Sequence, residues 1–267
     1  MTKELIFVKL GGSLITDKKK PYTARSEAIT RLAKEIAVAR FHKHIGLVIG
    51  NGAGSFGHVA AQQYQTQKGI LNKESIYGFA RVQDAVARLN RLVTGALLDV
   101  GESAVTITPS SSIVARAGEI VEFSLEPIIH LLSLSMIPVV YGDVVVDTKT
   151  GCSIFSTEKL LNYIALALAG RGYTIKQLVH YGTTSGVLDS NGNTIQKITP
   201  SSYRSLKNII KGSEGIDVTG GMAHKVEEAL WLAKQGIPSY IMNGFDQGQL
   251  SKLLLGKPVI GTRIEND

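Results

Sequence analysis

The strongest constraint on this chain is an alternation. Apolar runs of strand length and amphipathic runs of helix length succeed one another almost from end to end, and a mostly parallel sheet with helices on both faces buries such a pattern. Leu5 to Lys9 reads as the first strand. Ser26 to Arg40 reads as a helix, with Ile29, Leu32, Ala33 and Ile36 at helical spacing. Ile45 to Ile49 reads as the second strand, and a long helix is predicted from about Ser75 to Leu98, with Phe79, Val82, Val86, Leu89 and Val93 on one stripe. "AVTITPSSSIV" and "IPVVYGDVVVD" supply further strands, and "VVVDTKTGCSIF" reads as a hairpin around Thr148 to Gly151. A helix begins near Thr157; "YTIKQLVHYGTTSGVL" then starts a second βα set that closes with "IPSYIMNG" and "GTRIE". No Pro-, Ser- or Gly-rich linker separates the halves. The expected fold class is α/β, with two lobes sharing one continuous sheet: residues 1–170 and 171–267.

Composition narrows the function classes. A chain of 267 residues can bury a large core, and no apolar run approaches the roughly 18 residues of a spanning helix. The start turns polar and Gly-rich within a few residues, unlike a secretory signal, so a cytoplasmic protein is expected. One cysteine, Cys152, excludes an intrachain disulfide and a Cys-rich zinc site, and it reads as a half-buried filler. The formal charge of +7 points to anionic partners. Its basic residues are scattered along helices, and the one dense cluster, Lys18 to Lys20, lacks interleaved aromatics. That distribution favours a phosphate-bearing small molecule over nucleic acid.

Three glycine-bearing turns could carry chemistry. In "VKLGGSLITDKKKPY" a strand ending in Lys9 runs into Gly11, Gly12 and Ser13, whose amides could form an anion nest that Lys18 closes; an ordinary turn is the competing reading. The spacing is not that of a Walker A loop. "GNGAGSFGHVA" holds Gly50, Gly52, Gly54 and Gly57 around Ala53 and leads into a helix, whose N-terminus favours anions. Its "GAGSFG" matches a dinucleotide fingerprint in form, but it lies in the second βα unit and lacks the acidic residue expected about 20 positions on. A phosphate cradle is the better reading, and His58, closing it, can hold an anionic acceptor. His42, His44, His130, His180 and His224 lack metal-ligand spacing and read as structural or solvated. In "IDVTGGMAHK", Thr219 could cap a helix entered through Gly220 and Gly221, and Lys225 could reach back toward a nucleotide phosphate; a capped helix with a solvated lysine is the competing reading. Asp143 and Glu158 are carboxylates at strand or hairpin ends that could orient the lysines or help hold Mg²⁺.

In this order the stretches "VKLGGSLITDKKKPY", "GAGSFGH", "GFARVQDAVARLN", "TPSS", "IPVVYGDVVVD" and "IDVTGGMAHK" resemble the amino acid kinase superfamily and, within it, the isopentenyl phosphate kinases. "GAGSFGH" is the most discriminating, and fosfomycin kinases share a similar histidine loop. The resemblance implies an open αβα sandwich, a homodimer, an N-terminal lobe for a phosphorylated acceptor and a C-terminal lobe for ATP. It implies that Lys9, Gly11, Gly12, Ser13 and Lys18 face the ATP phosphates, with Gly54, Thr183, Gly221 and Lys225 completing the nucleotide site. It implies that Ala53, Gly57, His58 and Thr157 meet the acceptor. Two departures stand out: Ser156, Thr157 and Glu158 replace a Ser-Gly-Asp, and Thr183, Thr184, Ser185 and Gly186 replace a Thr-Asp-Val-Asp-Gly, losing both acids.

The expected reaction is transfer from MgATP to isopentenyl phosphate, with Lys9, Lys18, His58 and Glu158 as the catalytic set and Mg²⁺ carried mainly by the nucleotide rather than by a protein metal site. Phe79, Val82 and Val86 are either the wall of an apolar slot for the acceptor tail or ordinary core packing. The alternatives are a fosfomycin or other small-metabolite kinase of the same fold, a nucleotide- or phosphate-binding protein that has lost transfer, and a dinucleotide-dependent oxidoreductase. Acceptor chain length, nucleotide preference and oligomeric state stay open.

Overall fold

A computed structural model describes residues 4–212 and 221–267. The first half supplies β1 (Glu4–Leu10), the single turn α1 (Gly12–Ile15), α2 (Ser26–His42), β2 (Gly46–Asn51), α3 (Gly54–Tyr64) and α4 (Lys73–Asp99). Next come β3 (Ala104–Thr106), the single turn α5 (Pro109–Ser112), β4 (Ile113–Arg116), β5 (Glu119–Phe123) and α6 (Glu126–Ser133). They are followed by β6 (Ile137–Tyr141), β7 (Asp143–Asp147), β8 (Gly151–Phe155) and α7 (Thr157–Ala169). The chain ends with β9 (Thr174–Gly182), β10 (Lys197–Ile198), α8 (Pro200–Gly212), α9 (Gly221–Lys234), β11 (Ser239–Asn243), α10 (Gln249–Leu254) and β12 (Thr262–Ile264).

Eight strands form the central sheet in the order β10-β12-β11-β9-β1-β2-β6-β3. Every neighbouring pair is parallel except β11 with β12. Buried on both faces, the central strands need apolar side chains in both directions. β1 meets this with Ile6, Val8 and Leu10 in the core under α2, α3 and α4, and with Leu5 and Phe7 in the core under α6 and α7. The stripe on α4 buries Val82, Val86, Leu89 and Val93. Asn72 and Ser75 start that helix with a reciprocal capping box, in which the Ser75 amide donates to Asn72 Oδ1 at 2.9 Å. Among the described residues no helix is long and apolar enough to cross a membrane.

A second sheet, β5-β4-β7-β8, lies beside the first. The expected hairpin is its β7–β8 pair, with Asp143 opposite Phe155. "AVTITPSSSIV" supplies β3 and the start of β4, and Pro109 opens α5 between them, since its fixed φ and missing N–H suit the first turn of a helix. Cys152, expected to be half-buried, is 1% exposed on β8, and its Sγ lies 3.4 Å from the Thr66 carbonyl.

Candidate active site

The first half of the chain places β2, β6 and β3 on one side of β1, with β6 inserted between β2 and the earlier β3, and the second half places β9 and β11 on the other side. A crevice opens beyond the carboxyl ends of strands at such a reversal, where open α/β sheets hold ligands. A cavity of about 330 Å³ occupies this position.

Its floor is set by two turns pressed backbone to backbone. After β1 the chain enters α1 through Gly12, and after β2 it enters α3 through Gly52 and Gly54. A side chain on Gly12 would come within 2.5 Å of the Gly54 nitrogen, and Gly54 has φ +50. Thr16 pins the contact: its Oγ1 donates to Gly12 O at 2.7 Å and accepts from Ser55 N at 3.1 Å. These glycines therefore serve close approach as well as any ligand. No side chain caps α3, so its positive end is left for an anion. Ser13 lines the cavity from α1, and Ala53 and Gly57 line it from the start of α3.

Charged groups form part of the lining. Lys9, near the end of β1, pairs with Glu158, in the first turn of α7, at 2.6 Å; their side chains are 11% and 16% exposed. Burial alone would raise Glu158, but the charge and hydrogen bond of Lys9 outweigh it and hold the carboxyl at about 2. Lys18 reaches the cavity from the exposed segment after α1, and His224, Lys225 and Glu228 reach it from α9. His224 Nε2 stands 3.4 Å from Glu228 Oε1, while burial pushes Glu228 up against that pull. The lining also includes apolar Ala61, Val82, Val86, Ile154 and Phe155. His58, exposed on the second turn of α3, also faces the cavity. It belongs to the helix rather than to the loop; only Gly52 and Ala53 lie between β2 and α3.

Two carboxylates separate in role. Asp143 is 1% exposed at the start of β7 and accepts from Ser110 N at 3.0 Å and from Val144 N at 2.8 Å. Burial outweighs these bonds and pushes it up to about 6. Asp143 is therefore occupied in tying α5 to the cavity rim, whereas Glu158 engages a lysine.

The structure brings Lys9, Gly12, Ser13, Lys18, Ala53, Gly54, Gly57, His58, Val82, Val86, Thr157, Glu158 and Lys225 to one cavity. It does not bring Gly11, Phe79 or Thr183 there. The Gly11 amide donates to Tyr181 O at 2.7 Å, so it extends the sheet instead of a nest. Phe79 packs against the core, and Thr183 is exposed beyond the end of β9. Thr157 reaches the cavity, but its Oγ1 donates to Asn51 O at 2.7 Å. Gly221 opens α9 at the border of the described residues, and Thr219 and Gly220 lie outside them. Sequence reasoning set His224 aside as structural or solvated and passed over Glu228, although their i, i+4 spacing beside Lys225 was visible. It also set aside His180, which is 5% exposed on β9.

The amino acid kinase family model matches residues 4–243. The chain is 38% identical to an isopentenyl phosphate kinase of Methanothermobacter thermautotrophicus, across 97% of this chain and 98% of that protein. It is 33% identical to the isopentenyl phosphate kinase of Methanocaldococcus jannaschii, across 98% of both. A crystal structure of an isopentenyl phosphate kinase superposes with a TM-score of 0.80 at 33% identity, covering 97% of this chain and 99% of that one.

Proposed function

The chain belongs to the amino acid kinase family, and from that premise we propose that it transfers the terminal phosphoryl group of ATP to isopentenyl phosphate, giving isopentenyl diphosphate and ADP. The observation that carries this reading is one cavity lined by Lys9, Lys18, Lys225 and His58 together with apolar Val82 and Val86.

The acceptor oxygen is already an anion at neutral pH, so the reaction needs no general base; the obstacle is bringing two negative groups together. An acceptor phosphate oxygen attacks the γ-phosphorus, the bond to the β-phosphate oxygen breaks, and ADP carries away the negative charge. Lys9, held in place by Glu158, faces the transferring group. His58 and the uncapped start of α3 hold the acceptor phosphate, and Lys18 and Lys225 brace the nucleotide phosphates. Preorganised cations of this kind act on charge that moves during transfer. Among the described residues no cluster of three or more His, Cys, Asp or Glu side chains is placed to hold a metal ion. In this reading Mg²⁺ enters as part of the MgATP substrate, on the nucleotide phosphates.

The same reading assigns the acceptor to residues 1–170 and the nucleotide to residues 171–267, places the enzyme in the cytoplasm and makes it a homodimer, which light scattering on the purified protein tests. The central test is ADP release with MgATP against isopentenyl phosphate, dimethylallyl phosphate, geranyl phosphate and fosfomycin, with His58→Ala in parallel. Turnover on isopentenyl phosphate that collapses in the variant is expected. Turnover on fosfomycin alone, or nucleotide binding with no turnover on any acceptor, overturns the assignment.

A further inference from the structure

His180 lies directly opposite Lys9 in the parallel register of β9 and β1, so the two side chains leave the same face of the sheet. That face is covered by α7, which carries Glu158. The ring is 5% exposed, and neither Nδ1 nor Nε2 has a hydrogen-bond partner among the described residues. On its other flank β11 presents Ile241, which offers nothing polar. The charged groups that act on it are Glu158 from α7, Lys9 from β1 and Lys225 from α9. Burial, aided by the two lysines and opposed by Glu158, pushes the imidazolium down to about 4. At neutral pH the ring therefore offers one N–H donor and one acceptor nitrogen, both unused.

An unsatisfied buried polar ring is destabilising, and its place beside the Lys9–Glu158 pair suggests a state in which it is satisfied. In this structure the Lys9 ammonium is committed to Glu158 at 2.6 Å. Phosphate oxygens entering the cavity compete for that ammonium, and a buried carboxylate that loses its cation is strongly destabilised. We propose that His180 is a positioning residue for the Lys9–Glu158 pair: when phosphate oxygens draw Lys9 away, the neutral imidazole donates its N–H to the vacated carboxylate and keeps Glu158 anchored behind the cation. The inference rests on the kinase reading above and adds to it a residue that does not touch substrate.

The test compares wild type with His180→Phe, which keeps ring volume, and His180→Gln, which keeps a donor and an acceptor. The Phe variant is expected to lose about 10- to 100-fold in kcat, the worth of one hydrogen bond to a charged group. Its KM values should stay near wild type, and Gln should restore most of the loss. In histidine-labelled wild type, the His180 ¹⁵N resonances should shift on addition of a non-hydrolysable MgATP analogue. An unchanged kcat in the Phe variant overturns the proposal, even when thermal stability falls. That pattern assigns the ring to a static seam with Asn162, whose Oδ1 is also buried and unpartnered one turn along α7 from Glu158. A wild-type chain inactive on isopentenyl phosphate defeats the kinase assignment alone. The ¹⁵N measurement then still decides, as it does where the Phe variant does not fold, and unmoved resonances with the analogue bound sink the role of His180.

Discussion

The apolar and the charged residues that line the cavity are held by different physics. The apolar ones are a by-product of core packing: Val82 and Val86 are each 2% exposed on a stripe that would be buried whether or not a ligand existed. The charged ones work against packing. Burial disfavours the charged forms of Glu158 and Glu228, and it is chiefly Lys9 that holds Glu158 at about 2. Position in the first set is therefore over-determined, while in the second it depends on a few bonds that a ligand can redirect. Chemistry should fail when the charged residues change, and selectivity should change with the apolar ones.

The largest effect expected from that contrast is His58→Ala, which should lower turnover about 10²- to 10³-fold, as removal of a preorganised contact does. Thermal unfolding should barely move, because the ring is exposed on α3; a large loss of stability would blur the contrast. Next comes Lys9→Met, which strands Glu158 and should cost about 3 kcal/mol of stability at pH 7. The sign of its pH dependence follows from a carboxyl whose ordinary value of 4.5 is depressed to about 2. The pair's contribution is complete above about 4.5 and disappears as pH falls toward 2. Urea unfolding of wild type and variant should converge across that window, and parallel curves would show that the pair stabilises nothing.

Val86→Phe sharpens the other side. Overpacking should cost about 1–3 kcal/mol, and turnover on geranyl phosphate should fall relative to isopentenyl phosphate while kcat on the shorter acceptor holds. Unchanged chain-length preference in both Val82→Phe and Val86→Phe would remove this wall from the acceptor slot. The smallest effect is expected at Tyr22, on the segment that carries Lys18. Its ring meets the edge of Phe56 at 5.9 Å and lies 5.8 Å from the Arg88 guanidinium. Tyr22→Ala should raise KM for ATP about two- to five-fold, the scale of one exposed cation–π contact. A larger effect would mean that Lys18 is positioned far more rigidly than its exposure suggests.

Much of the scaffold was legible because periodicity records burial. The strands before the first two turns, the helix at Ser26 and the long helix with its Val82–Val93 stripe each emerge within a few residues of their expected ends. The second sheet was not legible, because pairing β4 with β7 joins segments some thirty residues apart whose local patterns do not name a partner. Residue type and turn context singled out Lys9, His58 and Lys225, which line one cavity. They set His180 aside, since only the β1–β9 register reveals that a lone histidine stands beside Lys9. They also placed Gly11 in a phosphate nest, because glycine spacing alone cannot tell an amide open to ligand from one already bound to Tyr181.

The lone thiol on β8 supplies a clock. Cys152 is enclosed, and burial raises its pKa, so a thiol reagent meets it only when the wall carrying Ile154 and Phe155 parts from the body. Labelling at high reagent concentration then counts openings of that wall one at a time, with no engineered probe and no second cysteine to confuse the signal. Slower labelling with acceptor bound would report how firmly the ligand latches its own enclosure.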